Sequence, residues 1–85
     1  MFNTQNFIAL HLYKVKIEEC FAKFGDAVRK KRVHQNISQT QLAFESKISR
    51  EYINRLENGN VNVSLAKIIA IAEVLDVEVK ELLDF

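Results

Sequence analysis

Ile17, Phe21, Phe24, Val28 and Arg32 recur at steps of three or four residues. That spacing lines side chains along one face of an α-helix. It predicts a first helix over residues 18–35, which Gly25 weakens slightly. Asn36 ends it, because Asn tolerates the left-handed backbone of a helix C-cap. Ser38 then precedes Gln39-Thr40-Gln41 with the residue types of a capping box, Ser-x-x-Gln, and predicts a second helix to Ser46. Ser49 offers the next N-cap, before a third helix from Arg50 to Glu57 that Asn58-Gly59 stops. Ser64 caps a fourth, Leu65 to Leu75, and residues 79–83 make a short fifth. On the fourth helix Leu65, Ile68, Ile69, Ala72 and Leu75 form the expected core stripe. Ile71 and Val74 fall off that stripe and are expected to be exposed.

Residues 1–16 follow a different pattern. Lys14-Val15-Lys16-Ile17 alternates polar and apolar, and residues 7–15 are rich in apolar and aromatic side chains. This is read as an extended or strand-like arm, with a helical extension of the first helix as the alternative, since short apolar runs do not settle the period. The chain thus divides into an arm, 1–16, and an all-α domain, 17–85.

At 85 residues the chain is small enough that its core is only marginally self-sufficient. A disulfide within the chain is excluded by the single cysteine, Cys20. His11 and His34 lie far apart with no second cysteine, so neither a metal site nor a cofactor is expected. A partner subunit remains as the supplement. Phe7, Ile8, Leu10, Leu12 and Val15 of the arm add one apolar patch. Val61, Val63, Ile71, Val74, Leu82, Leu83 and Phe85 add another, and this second set is the expected homodimer interface, with the arm as a clasp. No segment has the ~20 apolar residues of a membrane span, the beginning lacks the features of a signal peptide, and the lone thiol fits a reducing compartment. A cytoplasmic protein without a membrane partner is expected.

The net charge is only +1. Its distribution is more informative: residues 26–58 carry seven Lys/Arg against four Asp/Glu, whereas 59–85 carry two against five. The middle of the chain suits a polyanion and the tail does not.

The feature that carries chemistry is the pair of short helices joined by Lys47-Ile48-Ser49. Two helices crossing steeply need a short turn and small contacts at the crossing. Ala43 supplies the small side chain, Ile48 plugs inward, and Leu42, Ile53 and Leu56 complete a core. Arg50, Glu51, Asn54 and Arg55 then face outward, with Tyr52 at the margin. A row of long polar side chains on a short helix suits the major groove, whose base edges offer fixed donor and acceptor pairs. No nucleophile elbow, phosphate loop, metal spacing or carboxylate pair points to an enzyme.

Ser38-Gln39-Thr40-Gln41-Leu42-Ala43, Ile48-Ser49-Arg50-Glu51-Tyr52-Ile53 and Leu56-Glu57-Asn58-Gly59 resemble the Cro/C1-type helix-turn-helix family, also called the xenobiotic-response-element family. Phe24-Gly25, Val28-Arg29 and Arg32 resemble its first helix, and residues 64–83 its last two. Arg50-Glu51-Tyr52-Ile53 with Asn62-Val63-Ser64-Leu65 is most similar to the controller proteins of restriction–modification systems. The resemblance implies a five-helix, lambda-repressor-like fold and a transcription regulator that binds a palindromic operator in double-stranded DNA as a homodimer. An antitoxin that neutralises a toxin partner, with autoregulatory DNA binding, is the alternative.

Within that frame Arg50 is the leading base contact. Arg55 is a base or phosphate contact, or the partner of Glu51 in an i, i+4 ion pair. Glu51 pairs with it or accepts from cytosine. Tyr52 touches a thymine methyl or a phosphate, or packs on the core. Asn54 completes the base-facing row. Gln39 resembles a family phosphate contact at a helix N-terminus. Asn58 and Asn60 either hold phosphates or serve turn chemistry. The resemblance assigns Arg32 and Glu57 to a structural ion pair. Lys47 departs from the family's usual Gly or Asn, and a left-handed backbone there costs on the order of 1 kcal/mol.

Overall fold

A computed structural model describes residues 4–85, with side chains from Phe7 onward. Five helices follow in order: α1 (Thr4–His34), α2 (Gln39–Ser46), α3 (Arg50–Glu57), α4 (Leu65–Leu75) and α5 (Val79–Leu82). Ser38, Ser49 and Ser64 each accept a backbone N–H bond, from Gln41, Tyr52 and Lys67, at the starts of α2, α3 and α4. The first four helices all end in left-handed residues: Asn36 (φ 59°), Lys47 (φ 60°), Gly59 (φ 74°) and Asp76 (φ 55°). At each end an N–H reaches back five residues, from Ile37 to Arg32, Ile48 to Ala43, Asn60 to Arg55 and Val77 to Ala72. These bonds satisfy carbonyls that a helix end otherwise leaves unpaired.

The core lies among the C-terminal part of α1 and the other helices. Phe24, Val28, Leu42, Ile48, Ile53, Leu56, Ile71 and Leu75 are buried in it. α1 packs against α3, α4 and α5, and α2 against α3 and α4. Two glycines set close approaches. A Cβ on Gly25 would overlap the carbonyl oxygen of Leu56, and one on Gly59 would stand 2.8 Å from the Ala22 Cα. The end of α3 therefore lies directly on α1.

Three expectations need correction. First, the arm is not extended but takes the alternative reading, a helical extension of the first helix: from Thr4 it is helix, continuous with α1 through the expected boundary at 16/17. Its first three residues, Met1 to Asn3, lie outside the described residues. A lone strand leaves its backbone groups unpaired, whereas a helix satisfies its own; the four-residue alternation was too short to outweigh that. Second, α4 is turned relative to the expected stripe. Ile71 is fully buried, while Leu65 and Ile69 are 66% and 46% exposed. Nearly every residue of α4 is apolar, so periodicity could not choose the phase. Ile71, Ala72 and Leu75 are the buried set, and Ile68, Ala70 and Val74 pack half-buried against the core, so Val74 is not exposed either. Third, three of the expected interface residues, Val63, Ile71 and Leu82, are core residues, their side chains unavailable to an interface. Leu82 is the inward anchor that holds the single turn of α5 in place.

Candidate nucleic-acid interface

α3 is amphipathic in the simplest way. Ile53, Leu56 and Glu57 face inward, and Arg50, Glu51, Asn54, Arg55 and Asn58 are exposed. At ~1.5 Å per residue its eight residues span about the width of a major groove, ~12 Å. Arg50, Glu51 and Asn54 line one shallow concavity with Gln39 from the start of α2.

An inner network holds that surface. Arg32 donates from Nε to Glu57 Oε2 at 2.7 Å and from Nη2 to Oε1 at 2.9 Å. Its Nη1 donates to the Ile37 carbonyl at 2.9 Å, fixing the link between α1 and α2. The side chains are 13% and 3% exposed. The hydrogen bonds to Glu57 hold the Arg32 pKa above the ordinary arginine value. Glu57 Oε1 also accepts from Gln39 Nε2 at 3.1 Å, and the same amide nitrogen reaches Asn54 Oδ1 at 3.3 Å. A buried charge pair thus orients two polar groups on the outer face, and no fully buried side-chain polar atom among the described residues lacks a partner.

Tyr52 is half-buried beneath Lys67, whose Nζ lies 4.0 Å from the ring centroid. This cation–π contact places a cation beside α3 that the sequence reading did not select. Its signal was available: Lys67 is the only basic residue of α4 and sits in its first turn. Glu51 and Arg55 do not pair with each other, and both are exposed. An exposed i, i+4 pair gains only ~0.3–0.5 kcal/mol against the entropy of holding both chains. Asn58 and Asn60 are exposed, with their backbone N–H groups closing α3 onto Asn54, Leu56 and Arg55. Of the expected interface residues, Val61 and Val74 are half-buried, and Leu83 and Phe85 are exposed.

Charge is sorted along α4. Lys67 stands beside α3, whereas Glu73, Asp76, Glu78 and Glu81 line a concavity at the other end, about 14 Å further along the helix between Lys67 and Asp76. Among the described residues no helix is long and apolar enough to cross a membrane.

A family model described as "Helix-turn-helix" matches residues 28–82. Control protein C.BamHI of Bacillus amyloliquefaciens is 48% identical over 63 residues, 73% of this chain and 78% of that protein. The crystal structure of the restriction-modification controller protein C.AhdI from Aeromonas hydrophila superposes with a TM-score of 0.72 at 42% identity, covering 73% of this chain and 94% of that one. The clp gene regulator ClgR from Corynebacterium glutamicum gives a TM-score of 0.75 at 26% identity, over 76% of this chain and 69% of that one.

Proposed function

The chain belongs to the Cro/C1-type helix-turn-helix family of DNA-binding transcription regulators, and from that premise we propose that it is a controller-type regulator that binds a palindromic operator as a homodimer. The observation that carries the reading is the exposed row on α3, backed by the Arg32–Glu57–Gln39 network. Arg50, Glu51 and Asn54 reach base edges, Tyr52 and Arg55 stand at the margins of the groove, and Gln39, Asn58, Asn60 and Lys67 approach phosphates. Relatives that are controller proteins of restriction–modification systems support the same role here, without an enzymatic step and in the cytoplasm.

Selection of bound duplexes from a random pool tests the reading and yields the operator. Arg50→Ala is expected to relax preference at one base pair per half-site by ~1–3 kcal/mol. Lys67→Ala is expected to weaken all sequences alike and to lower the salt dependence of binding by about one counterion. An Arg50→Ala selection identical to that of wild type removes Arg50 from base contact.

The dimer face is drawn from what the fold leaves exposed in the C-terminal half: Leu65 and Ile69 on α4, with Leu83 and Phe85, and Val61 and Val74 at the margins. A two-fold pair built there sets recognition helices ~34 Å apart, one turn of DNA. Leu65→Glu with Ile69→Glu is expected to give monomers in sedimentation equilibrium at micromolar concentration. Wild-type monomers, or an unchanged dimer in the variant, would overturn this face.

A further inference from the structure

Residues 7–20 of α1 project beyond the packed helices, and every side chain from Phe7 to Lys16 is exposed. The segment is ~20 Å long by helical rise, and the molecule measures 50 × 23 × 19 Å, so the projection is about as long as the body is wide. Ile8 and Leu12 are 51% and 62% exposed, and Lys16 follows at the next step of four. The outer face of α4 repeats this spacing: Leu65 and Ile69 are 66% and 46% exposed, and Glu73 follows at the next step of four. Each row reads apolar, apolar, charged, and the charges are opposite. Among the described residues neither Lys16 nor Glu73 is in an ion pair.

The two rows cannot meet within one chain. α1 is an unbroken helix from Thr4 to His34, so its projecting end does not fold back onto its own α4. Rows at steps of four are the ridges that interdigitate when two helices pack. The charges agree along the row rather than over the whole segment: the projection carries Lys14 and Lys16 and, at its base and off the row, Glu18 and Glu19, whereas Glu73 shares its end of α4 with Asp76, Glu78 and Glu81.

We propose that the projecting end of α1 docks on the outer face of α4 of a second copy, Ile8 against Leu65, Leu12 against Ile69 and Lys16 against Glu73. In a two-fold dimer the contact is made twice, each chain clasping the other. This rests on the dimer face proposed above and names what covers it.

Sedimentation equilibrium on the full chain tests the charge match. Lys16→Glu and Glu73→Lys are each expected to raise the dimer dissociation constant several-fold, the scale of an exposed pair turned to repulsion, and the double swap to restore it. Cross-linking tests the register in a Cys20→Ser background. Leu12→Cys with Ile69→Cys is expected to give covalent dimers on oxidation, and neither single cysteine to do so. Circular dichroism checks that each variant keeps its helicity. Cross-linking of Ile69→Cys alone places α4 against α4, and of Leu12→Cys alone places α1 against α1; either overturns the clasp and leaves the dimer standing. Independent single swaps without rescue overturn it too. A wild-type monomer overturns clasp and dimer together.

Discussion

Replacing Glu57 with alanine is expected to lower the melting temperature by about 12 °C or more. The carboxylate is 3% exposed and accepts from Arg32 Nε, Arg32 Nη2 and Gln39 Nε2. Removing it leaves a guanidinium that is only 13% exposed without its counter-charge. Breaking one side of a buried pair costs ~3–5 kcal/mol, and a domain of this size loses about 4–8 °C per kcal/mol. Total stability for such a chain is of order 5–15 kcal/mol, so the loss is a large part of the whole. The double variant Arg32→Ala, Glu57→Ala is expected to be less destabilised than the sum of the singles, because it buries no orphaned charge. Thermal denaturation followed by circular dichroism reads both. A Glu57→Ala melting temperature within error of wild type removes the pair from the account of stability. The same variant frees Gln39 from Glu57, so preference at the base nearest Asn54 is expected to broaden at temperatures where the fold persists.

Much of this architecture is visible in the amino-acid sequence because it depends on local chemistry. Ser38, Ser49 and Ser64 mark helix starts since a hydroxyl before a helix has one useful task there, accepting an N–H bond. Asn36 and Gly59 mark ends because few residues tolerate positive φ. Asp76 occupies the same conformation, which Asp tolerates better than most residues, whereas Lys47 does so with no signal in its own side chain, only the family's usual Gly or Asn at that place. The outward row on α3 follows from eight residues in which polar and apolar positions alternate with helical period. α4 is the opposite case: Ile68, Ile69 and Ile71 are equally apolar, and only contact with α1, α2 and α5 decides which turn inward. The arm failed for a related reason, since a short apolar run fits strand and helix alike until its backbone must be satisfied. Lys67 was passed over because its role depends on Tyr52, fifteen residues away in sequence and 4.0 Å away in space.

Gly25 was read as a weak point in α1, and the structure reverses that reading. Gly25→Ala is expected to destabilise the protein by about 2–3 kcal/mol, a loss in melting temperature of roughly 8 °C or more. On an isolated helix the substitution would stabilise by ~1 kcal/mol, because alanine loses less backbone entropy than glycine. Here the added methyl would overlap the Leu56 carbonyl oxygen and stand 3.0 Å from that of Glu57. Both obstacles are backbone atoms at the end of α3, and backbone cannot swing aside as a side chain can. Relief requires α1 and α3 to part, which also stretches the Arg32–Glu57 bonds that join them. Val33→Ala, at an exposed site on the same helix, is expected to change stability by less than ~0.5 kcal/mol. A Gly25→Ala protein that melts at or above the wild-type temperature would mean that helix propensity outweighs the contact, and that α3 does not rest on α1 as closely as the structure places it.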